Sequence, residues 1–464
     1  MIDNAQAIVD AGENRQALQR ELRQLREEKQ QLKATVEQLV TRLDKLSQNL
    51  EQSTALTKTY ADTKARQAEQ AAKAHANKLT WRLMIKNDFF IEAFEPLWLT
   101  IENIGPFRES PYEIDFTDAE NQPCNIFLLM SQNGRGKTTL LEIMYCLMSL
   151  LGEDKPTQFG HEDLDDGRGR VQWDLRLKLD WRGEKHCVVL SLLAGNFSED
   201  QPAMRIWTKR QLEKYGATAW HRLGFRHLAL ERIEQGDPLV DDLLSRIRAE
   251  ISSSPEEFEQ ATLSLPTLLY FSAYRDIEPI ATMERAIIEP EKWGYYPVHD
   301  ITKEGNTWTR SLDNLLVWLK WLDDGRFERA IKLVNERVFY KNNKYIKGIR
   351  RIPPEAIIIV NGTEKHRLDR LSSGEKSLVQ MFFRLGAHMT RNSLIIIDEL
   401  DVHLHSIWQH AMLDILKQLV REHPGITVIA STHSREILEA FPIDIPEEGI
   451  RKGGDIIRTD LLKE

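Results

Sequence analysis

A glycine-rich loop between a strand pattern and a helix pattern carries the clearest chemistry in this sequence. The strand pattern 125–130, which is apolar after Asn125, leads into the loop 131–139, and apolar residues at helical spacing follow it. Backbone N–H groups of such a loop and the N-terminus of the next helix can hold phosphates. The pattern predicts a P-loop in which Lys137 reaches terminal phosphates and Thr138 ligates Mg²⁺. The other predicted phosphate contacts are Asn133, Gly134, Arg135, Gly136 and Thr139.

One position departs from the P-loop pattern G-x-x-x-x-G-K-[ST]. Ser131 stands where the first glycine is expected. Gly134 and Gly136 must then provide the unusual dihedral angles of the loop. A Gly-Lys-[Ser/Thr] tripeptide arises easily by chance, so the interpretation depends on companion motifs.

Two further strand patterns end in polar side chains. Four apolar residues, 394–397, precede Asp398 and Glu399, and the pattern 427–432 precedes His433. Because parallel sheets bind ligands at the C-terminal ends of their strands, Asp398 is expected to hold Mg²⁺ and Glu399 to orient or deprotonate the attacking water. His433 could hydrogen-bond a γ-phosphate. Taken alone, each fragment is more often a structural strand end.

The order of these motifs resembles that of the ABC-type ATPases. Residues 371–377 open a helix pattern and resemble the ABC signature, between Walker A at 131–138 and Walker B at 394–399. The form of 397–405 is similar to that of the OLD (overcoming-lysogenisation-defect) ATPases and their relatives in bacterial anti-phage systems, including Septu PtuA-like ATPases. The stretch 101–107 resembles the first strand of RecF- and SMC-like heads.

The resemblance implies an α/β fold, an ABC-type P-loop ATPase head with a mixed central sheet and an α/β insertion. It also implies that ATP is sandwiched between two heads, with the signature of one chain facing the γ-phosphate held by Lys137 of the other. The signature residues concerned are Ser372, Ser373, Gly374 and Glu375. Glu399, His433 and Lys137 are then the expected catalytic residues.

Two further departures from the family pattern remove no phosphate, metal or water ligand. Ser373 replaces the middle glycine of the transporter-type signature, and Ser406 stands where relatives commonly have proline. Hydrolysis is therefore expected, at a slow rate. Gln158 and Gln172 are both candidates for the Q-loop glutamine, and the sequence does not choose between them.

The first 90 residues differ in composition from the rest of the chain. No glycine or proline lies between Glu13 and Glu95. Apolar residues alternate at spacings of four and three, which predicts a coiled-coil seam. An amphipathic helix docked on the globular body is the alternative. The seam residues are Leu18, Leu22, Leu25, Leu32, Val36, Leu39, Leu43, Leu46 and Leu50.

The remaining residues, 91–464, are predicted to form the head, with an insertion at about 160–350. Strand patterns lie at 171–179, 186–193 and 268–271, and helix patterns at 312–322 and 327–338. Arg275 follows one of these strands, where it could approach nucleotide or nucleic acid or simply cap a loop.

One basic stretch inside this region is a candidate for nucleic-acid contact. Tyr340 and Tyr345 lie among its cations, and a solvated basic strand face is an equally good interpretation. The cations are Lys341, Lys344, Lys347, Arg350 and Arg351.

Composition limits the class of protein. The chain has 464 residues, a formal charge of −9 and three cysteines. So few cysteines argue against a disulfide framework and favour a reducing cytoplasm. The N-terminus has no secretory pattern, and no apolar run is long enough to span a membrane.

Together these features favour an ATP-binding, slowly hydrolysing ABC-type ATPase that assembles as a homo-oligomer through its heads and its coiled coil. It would act as a sensor or scaffold for a separate effector, a nuclease or toxin, in anti-phage defence. The effector is expected because 31 residues follow His433, too few for the nuclease domain of OLD enzymes. The alternative is a RecF/SMC-like DNA-binding ATPase in repair or recombination; a transporter subunit fits less well.

Overall fold

The computed structural model describes residues 89–458, except for 109, 154–155, 228–229, 234, 253–262, 303–306, 341–342. The predicted coiled coil lies outside the described residues. The elements in chain order are β1 (Phe89–Glu102), β2 (Tyr112–Asp115), β3 (Ile126–Met130), α1 (Lys137–Ser149), α2 (Glu162–Asp165), β4 (Arg170–Trp181), β5 (Glu184–Gly195), α3 (Lys209–Lys214), β6 (Ala219–Arg226), α4 (Pro238–Ile251), β7 (Pro266–Phe271), β8 (Val298–Ile301), α5 (Leu312–Leu322), α6 (Arg326–Arg337), β9 (Lys344–Arg351), β10 (Pro354–Val360), β11 (Glu364–His366), α7 (Ser373–His388), β12 (Asn392–Ile397), α8 (Ser406–Glu422), β13 (Thr427–Thr432), α9 (Arg435–Ala440) and β14 (Lys452–Ile456).

A six-stranded parallel sheet positions the predicted site. Its strand order is β14-β3-β13-β12-β7-β8. The inner strands are continuous apolar runs because protein covers both faces of the sheet. The P-loop, the Walker B acids and His433 follow β3, β12 and β13, so all three lie at the C-terminal edge.

A second sheet has five strands in the order β2-β1-β4-β5-β6. Its pairs are antiparallel except for the parallel pair β5–β6. The α/β fold is therefore confirmed, and the mixed strand directions belong to this sheet. The predicted insertion, 160–350, supplies β4, β5 and β6 here and β7 and β8 to the parallel sheet.

The apolar core forms a layer on each face of the parallel sheet. Leu394 and Ile396 of β12 pack with α1 and the five-stranded sheet, whereas Ile395 and Ile397 pack with helices α5–α8. This alternation follows from the two-residue period of a strand. A small antiparallel sheet, β11-β10-β9, borders the helical layer. Among the described residues, no helix is long and apolar enough to cross a membrane.

Candidate nucleotide site

Two glycines shape the P-loop. Gly134 has φ 76° and Gly136 has φ 97°, a region that favours glycine. A Cβ on Gly136 would lie 2.7 Å from both Phe107 Cζ and Pro106 Cγ. The turn after β1 therefore packs directly on the loop. Gly136 precedes α1, which has no acidic residue in its first turn to compete with a phosphate.

Lys137 is held by the start of its own loop. Its Nζ donates to the carbonyl oxygens of Ser131 at 2.9 Å and Gln132 at 3.2 Å, and to Ser131 Oγ at 3.3 Å. Burial lowers the pKa of Lys137, while the carboxylates of Asp398 and Glu399 oppose that shift. The serine that replaces the first P-loop glycine thus supplies an additional acceptor for the lysine.

Asp398 lies between the P-loop and the neighbouring strand. Thr138 Oγ1 donates to its Oδ2 at 2.8 Å, and Ser431 Oγ donates to its Oδ1 at 2.6 Å. Ser431 reaches Asp398 because β12 and β13 pair in parallel with Ile397 opposite Ala430. The hydroxyl and the carboxylate are hard oxygen donors, so Thr138 and Asp398 fit Mg²⁺.

Glu399 has an unusual backbone conformation for a residue with a side chain, with φ 48°. Its N–H donates to Ser431 Oγ at 2.8 Å, and its carbonyl oxygen accepts from Arg275 Nη2 at 3.0 Å. Such strain persists only where surrounding contacts impose it, and it concentrates at functional sites. The two contacts hold the backbone of Glu399 and therefore fix the point from which its side chain extends.

His433 is paired with a buried acid. Its Nε2 lies 3.3 Å from Asp401 Oδ2, and Thr432 Oγ1 donates to Asp401 Oδ1 at 2.6 Å. The His433 side chain is 46% exposed, so its ring remains accessible at the edge of the sheet. Asp401 can therefore orient the imidazole.

The signature forms the start of α7. Ser372 caps this helix in a capping box with Glu375, and the Ser373 side chain is exposed. A Cβ on Gly374 would lie 2.9 Å from the carbonyl oxygen of His403, so the signature packs closely on the segment after Walker B.

Glu375 connects the signature to β9. Lys344 Nζ lies 2.7 Å from its Oε1 and 3.0 Å from its Oε2. Burial acts to raise the pKa of Glu375, but hydrogen bonds from Lys344 and Ser372 outweigh burial and lower it. No local sequence pattern predicts this ion pair, because the partners are 31 residues apart.

Two predictions outside the motifs change in the structure. Arg275 is 4% exposed and donates to backbone carbonyls, so the predicted approach to nucleotide or nucleic acid is wrong and the loop-capping alternative holds. Gln172 is fully buried, with its Oε1 bound to backbone N–H groups of residues 204 and 205, so it is not available as a Q-loop residue. Gln158 is exposed.

The basic stretch is only partly available for nucleic acid. Lys344 is engaged by Glu375, and Arg350 forms an ion pair with Glu355. Lys347 and Arg351 are exposed on β9. Lys341 lies outside the described residues.

Two protein-family models match the chain. Residues 99–213 match a family described as "AAA domain", and residues 282–439 match one described as "AAA domain, putative AbiEii toxin, Type IV TA system". The first match contains the P-loop, and the second contains the signature, Walker B and His433. The predicted motifs therefore lie within segments that are similar to AAA domains.

Two curated proteins are similar in sequence. "Retron Vc95 probable ATPase" of Vibrio cholerae serotype O1 biovar El Tor is 25% identical over 377 residues, covering 73% of this chain and 71% of that protein. "Septu protein PtuA" of Bacillus thuringiensis is 39% identical over 69 residues, or 15% of this chain and 17% of that protein.

Solved structures of SMC heads show a distant likeness. An SMC head bound to the C-terminal winged-helix domain of ScpA is 12% identical, with a TM-score of 0.37, and covers 75% of this chain and 91% of that one. The SMC head domain from Thermotoga maritima is also 12% identical, with a TM-score of 0.32, covering 75% and 92%.

Proposed function

We propose that this protein binds and slowly hydrolyses ATP with Mg²⁺, assembles by closing two heads around the nucleotide, and controls a separate nuclease or toxin in anti-phage defence in the cytoplasm. The observation that carries the proposal is the cluster Thr138–Asp398–Ser431–Glu399. In this cluster two hard oxygen donors lie beside the P-loop, and the charge of the Glu399 carboxylate acts on Lys137.

Each group at the sheet edge has a distinct part in the proposed reaction. Bound Mg²⁺ would supply charge stabilisation to the phosphates, with Thr138 and Asp398 as its protein ligands. Lys137 and the N–H groups of residues 133–139 hold the phosphates, Glu399 orients or deprotonates water, and His433 hydrogen-bonds the γ-phosphate.

The signature supports the proposed sandwich. Ser372 and Ser373 are exposed at the N-terminus of a 16-residue helix, which favours an anion. A second copy of the chain could therefore present its P-loop nucleotide to this helix end. Gly374 and Glu375 belong to the same turn, where Glu375 keeps the cap in place.

Complementation between two inactive chains tests the sandwich. A Lys137→Ala chain lacks its own nucleotide site but keeps its signature, whereas a Ser373→Arg chain keeps its P-loop and obstructs its signature. Ser373 is chosen because it is exposed and Ser372, not Ser373, caps α7. Mixing the two should restore measurable ATP hydrolysis, at a rate below that of the unaltered chain, because only one of the two sites in a mixed pair is complete. A mixture as inactive as its components contradicts the sandwich.

The effector and the defence role are supported by the motif form of 397–405 and by relatives with retron and Septu names. The predicted coiled coil, 1–90, would organise the partner. Affinity capture from the native host with a Glu399→Gln chain should recover a nuclease or toxin. Recovery of DNA without such a protein favours the repair alternative.

A nucleic-acid surface remains a second, narrower candidate. Lys347 and Arg351 line a cleft of about 990 Å³ that also contains the 59% exposed Trp321. Cations beside an exposed aromatic ring suit a single strand. A Lys347→Glu/Arg351→Glu chain should lose salt-dependent binding of a fluorescent oligonucleotide, while a Lys209→Glu/Arg210→Glu chain on exposed α3 should keep it. Equal binding by both variants contradicts this surface.

A further inference from the structure

Arg275 connects three parts of the head. Its Nη1 donates to the carbonyl oxygens of Ser272 at 2.7 Å and Asp398 at 2.6 Å. Its Nη2 donates to the Glu399 carbonyl oxygen at 3.0 Å, and its Nε donates to Ser377 Oγ at 3.1 Å. One side chain therefore joins the loop after β7, the Walker B turn and the signature helix α7.

The guanidinium is well suited to this position. Burial lowers the pKa of Arg275 to about 10, with the carboxylates of Asp398 and Glu399 opposing the shift, so the group stays charged at neutral pH. Its donors form a rigid planar fork that satisfies acceptors in several directions at once. A lysine has a point charge on a flexible stem and cannot hold the same set.

Glu399 depends on this arrangement for its backbone conformation. The residue has φ 48°, and Arg275 and Ser431 bind its two peptide groups. A shift of Arg275 would therefore change where the Glu399 carboxylate points, although Arg275 does not face the nucleotide itself.

The other end of Arg275 is attached to the signature helix. Ser377 is buried one turn beyond Ser372, the capping residue. A second, more exposed link joins the same loop and helix, since Lys376 Nζ lies 3.2 Å from Asp276 Oδ1. Movement of the signature turn would thus act on Arg275 directly.

We propose that Arg275 is a positioning residue that couples the signature helix to Glu399 within one chain. This inference rests on the proposed sandwich, in which the signature of a chain serves one nucleotide and its Glu399 serves the other. Through Arg275, closure of the signature on one ATP would set the geometry of hydrolysis at the second ATP. The two sites of the assembly would then act together.

A set of four full-length variants tests the coupling: Arg275→Lys, Ser377→Ala, the double variant, and Ser393→Ala as the matched control, a buried serine whose Oγ bonds to Thr390 at the opposite end of the parallel sheet. The measurements are kcat from phosphate release, Kd for a fluorescent ATP analogue, and the thermal unfolding midpoint. Ser377→Ala should lower kcat about tenfold, the effect of losing one hydrogen bond to a charged group, with Kd changed less than about threefold. Ser393→Ala should change kcat in the folded fraction less than about twofold, because its hydrogen bonds to Thr390 lie far from the signature helix and the Walker B turn.

The double variant decides between coupling and independent effects. Arg275→Lys should lower kcat about thirtyfold or more, and adding Ser377→Ala should lower it no further, because the contact is already lost. If the two substitutions lower kcat multiplicatively, the coupling is overturned, and the same holds if Ser377→Ala has the kcat of Ser393→Ala. The comparison of Ser377→Ala with its control does not require Arg275→Lys to fold. Absence of Mg²⁺-dependent hydrolysis by the unaltered chain contradicts the proposed function itself, and the coupling with it.

Discussion

Ser431→Ala is the substitution whose effect on hydrolysis follows most directly from the structure. Ser431 Oγ donates to Asp398 Oδ1 at 2.6 Å and accepts from the Glu399 N–H at 2.8 Å. Alanine removes both contacts and leaves the left-handed conformation of Glu399 held by Arg275. The change is small in volume, so the surrounding strands should keep their places.

The expected magnitude comes from the two hydrogen bonds. The bond to the carboxylate contributes about 1.5–3 kcal/mol, and the neutral one about 0.5–1.5 kcal/mol. If part of this energy is expressed in the transition state, kcat should fall roughly 10–100-fold, since about 1.4 kcal/mol corresponds to tenfold. The affinity for ATP without Mg²⁺ should change little, because Lys137 and its loop are untouched.

Steady-state phosphate release and equilibrium binding of a fluorescent ATP analogue separate these effects. Ser393→Ala is the matched control: this serine is buried in the adjacent strand, but its Oγ bonds to Thr390 at the opposite end of the sheet. The control should lose stability and keep kcat in the folded fraction. An unchanged kcat in Ser431→Ala, or an equal loss of kcat in both variants, refutes the assigned role of Ser431.

Three other predictions concern the nucleotide, the core and the assembly. Lys137→Ala should abolish nucleotide binding, and tight ATP binding by that variant in equilibrium titration contradicts the site. Burial raises the pKa of Asp174 to about 6, so this acid's contribution to stability is present below its ordinary pKa of 3.8 and is lost as pH rises through 6. Asp174→Asn should therefore raise the free energy of unfolding at pH 7.5 by up to about 3 kcal/mol and have less effect at pH 4, measured by urea denaturation; equal effects at both pH values contradict the ionised carboxylate as the cause. Deleting residues 1–80 should leave a folded ATPase of lower oligomeric state or without its partner, as measured by light scattering and pull-down. If the truncated chain keeps the oligomeric state and the partner of the full chain, residues 1–80 have no assembly role.

Local patterns predicted the central elements well. The apolar runs before the P-loop and Walker B form β3 and β12, and the helix predicted at 312–322 is α5 with the same bounds. These segments succeed because buried parallel strands and amphipathic helices have strong patterns of their own. The P-loop was similarly evident, because its chemistry depends on residues adjacent in sequence.

Features that depend on distant residues were not predictable. The first strand begins at Phe89, well before the stretch 101–107 that resembles a first strand, and it includes Glu95, whose Oε2 lies 2.7 Å from Arg176 Nη2 inside the second sheet. Charged residues are usually exposed, so a charged residue inside a strand is not recognised from the sequence until its buried partner is known. The strand also shifts register near Pro96, which hides its alternation.

The candidate site also combines residues that local motifs predict with contacts that only the fold creates. Lys137, Thr138, Asp398 and Glu399 could be chosen from motifs, but the contacts that fix their geometry could not. Ser431 reaches Asp398 only through the register of two parallel strands. The Lys344–Glu375 pair and the contacts of Arg275 are likewise created by the fold, which is why Arg275 was expected to face a ligand and instead supports the Walker B turn.

The mass of a Glu399→Gln chain with and without Mg²⁺ and ATP tests the central claim most directly. The substitution keeps the phosphate and metal ligands and removes the carboxylate proposed to activate water, so ATP should remain bound between two heads. Multi-angle light scattering should then show a higher-mass assembly with ATP, absent when Lys137→Ala is added to the same chain. Identical masses with and without ATP would contradict a nucleotide-driven assembly of heads.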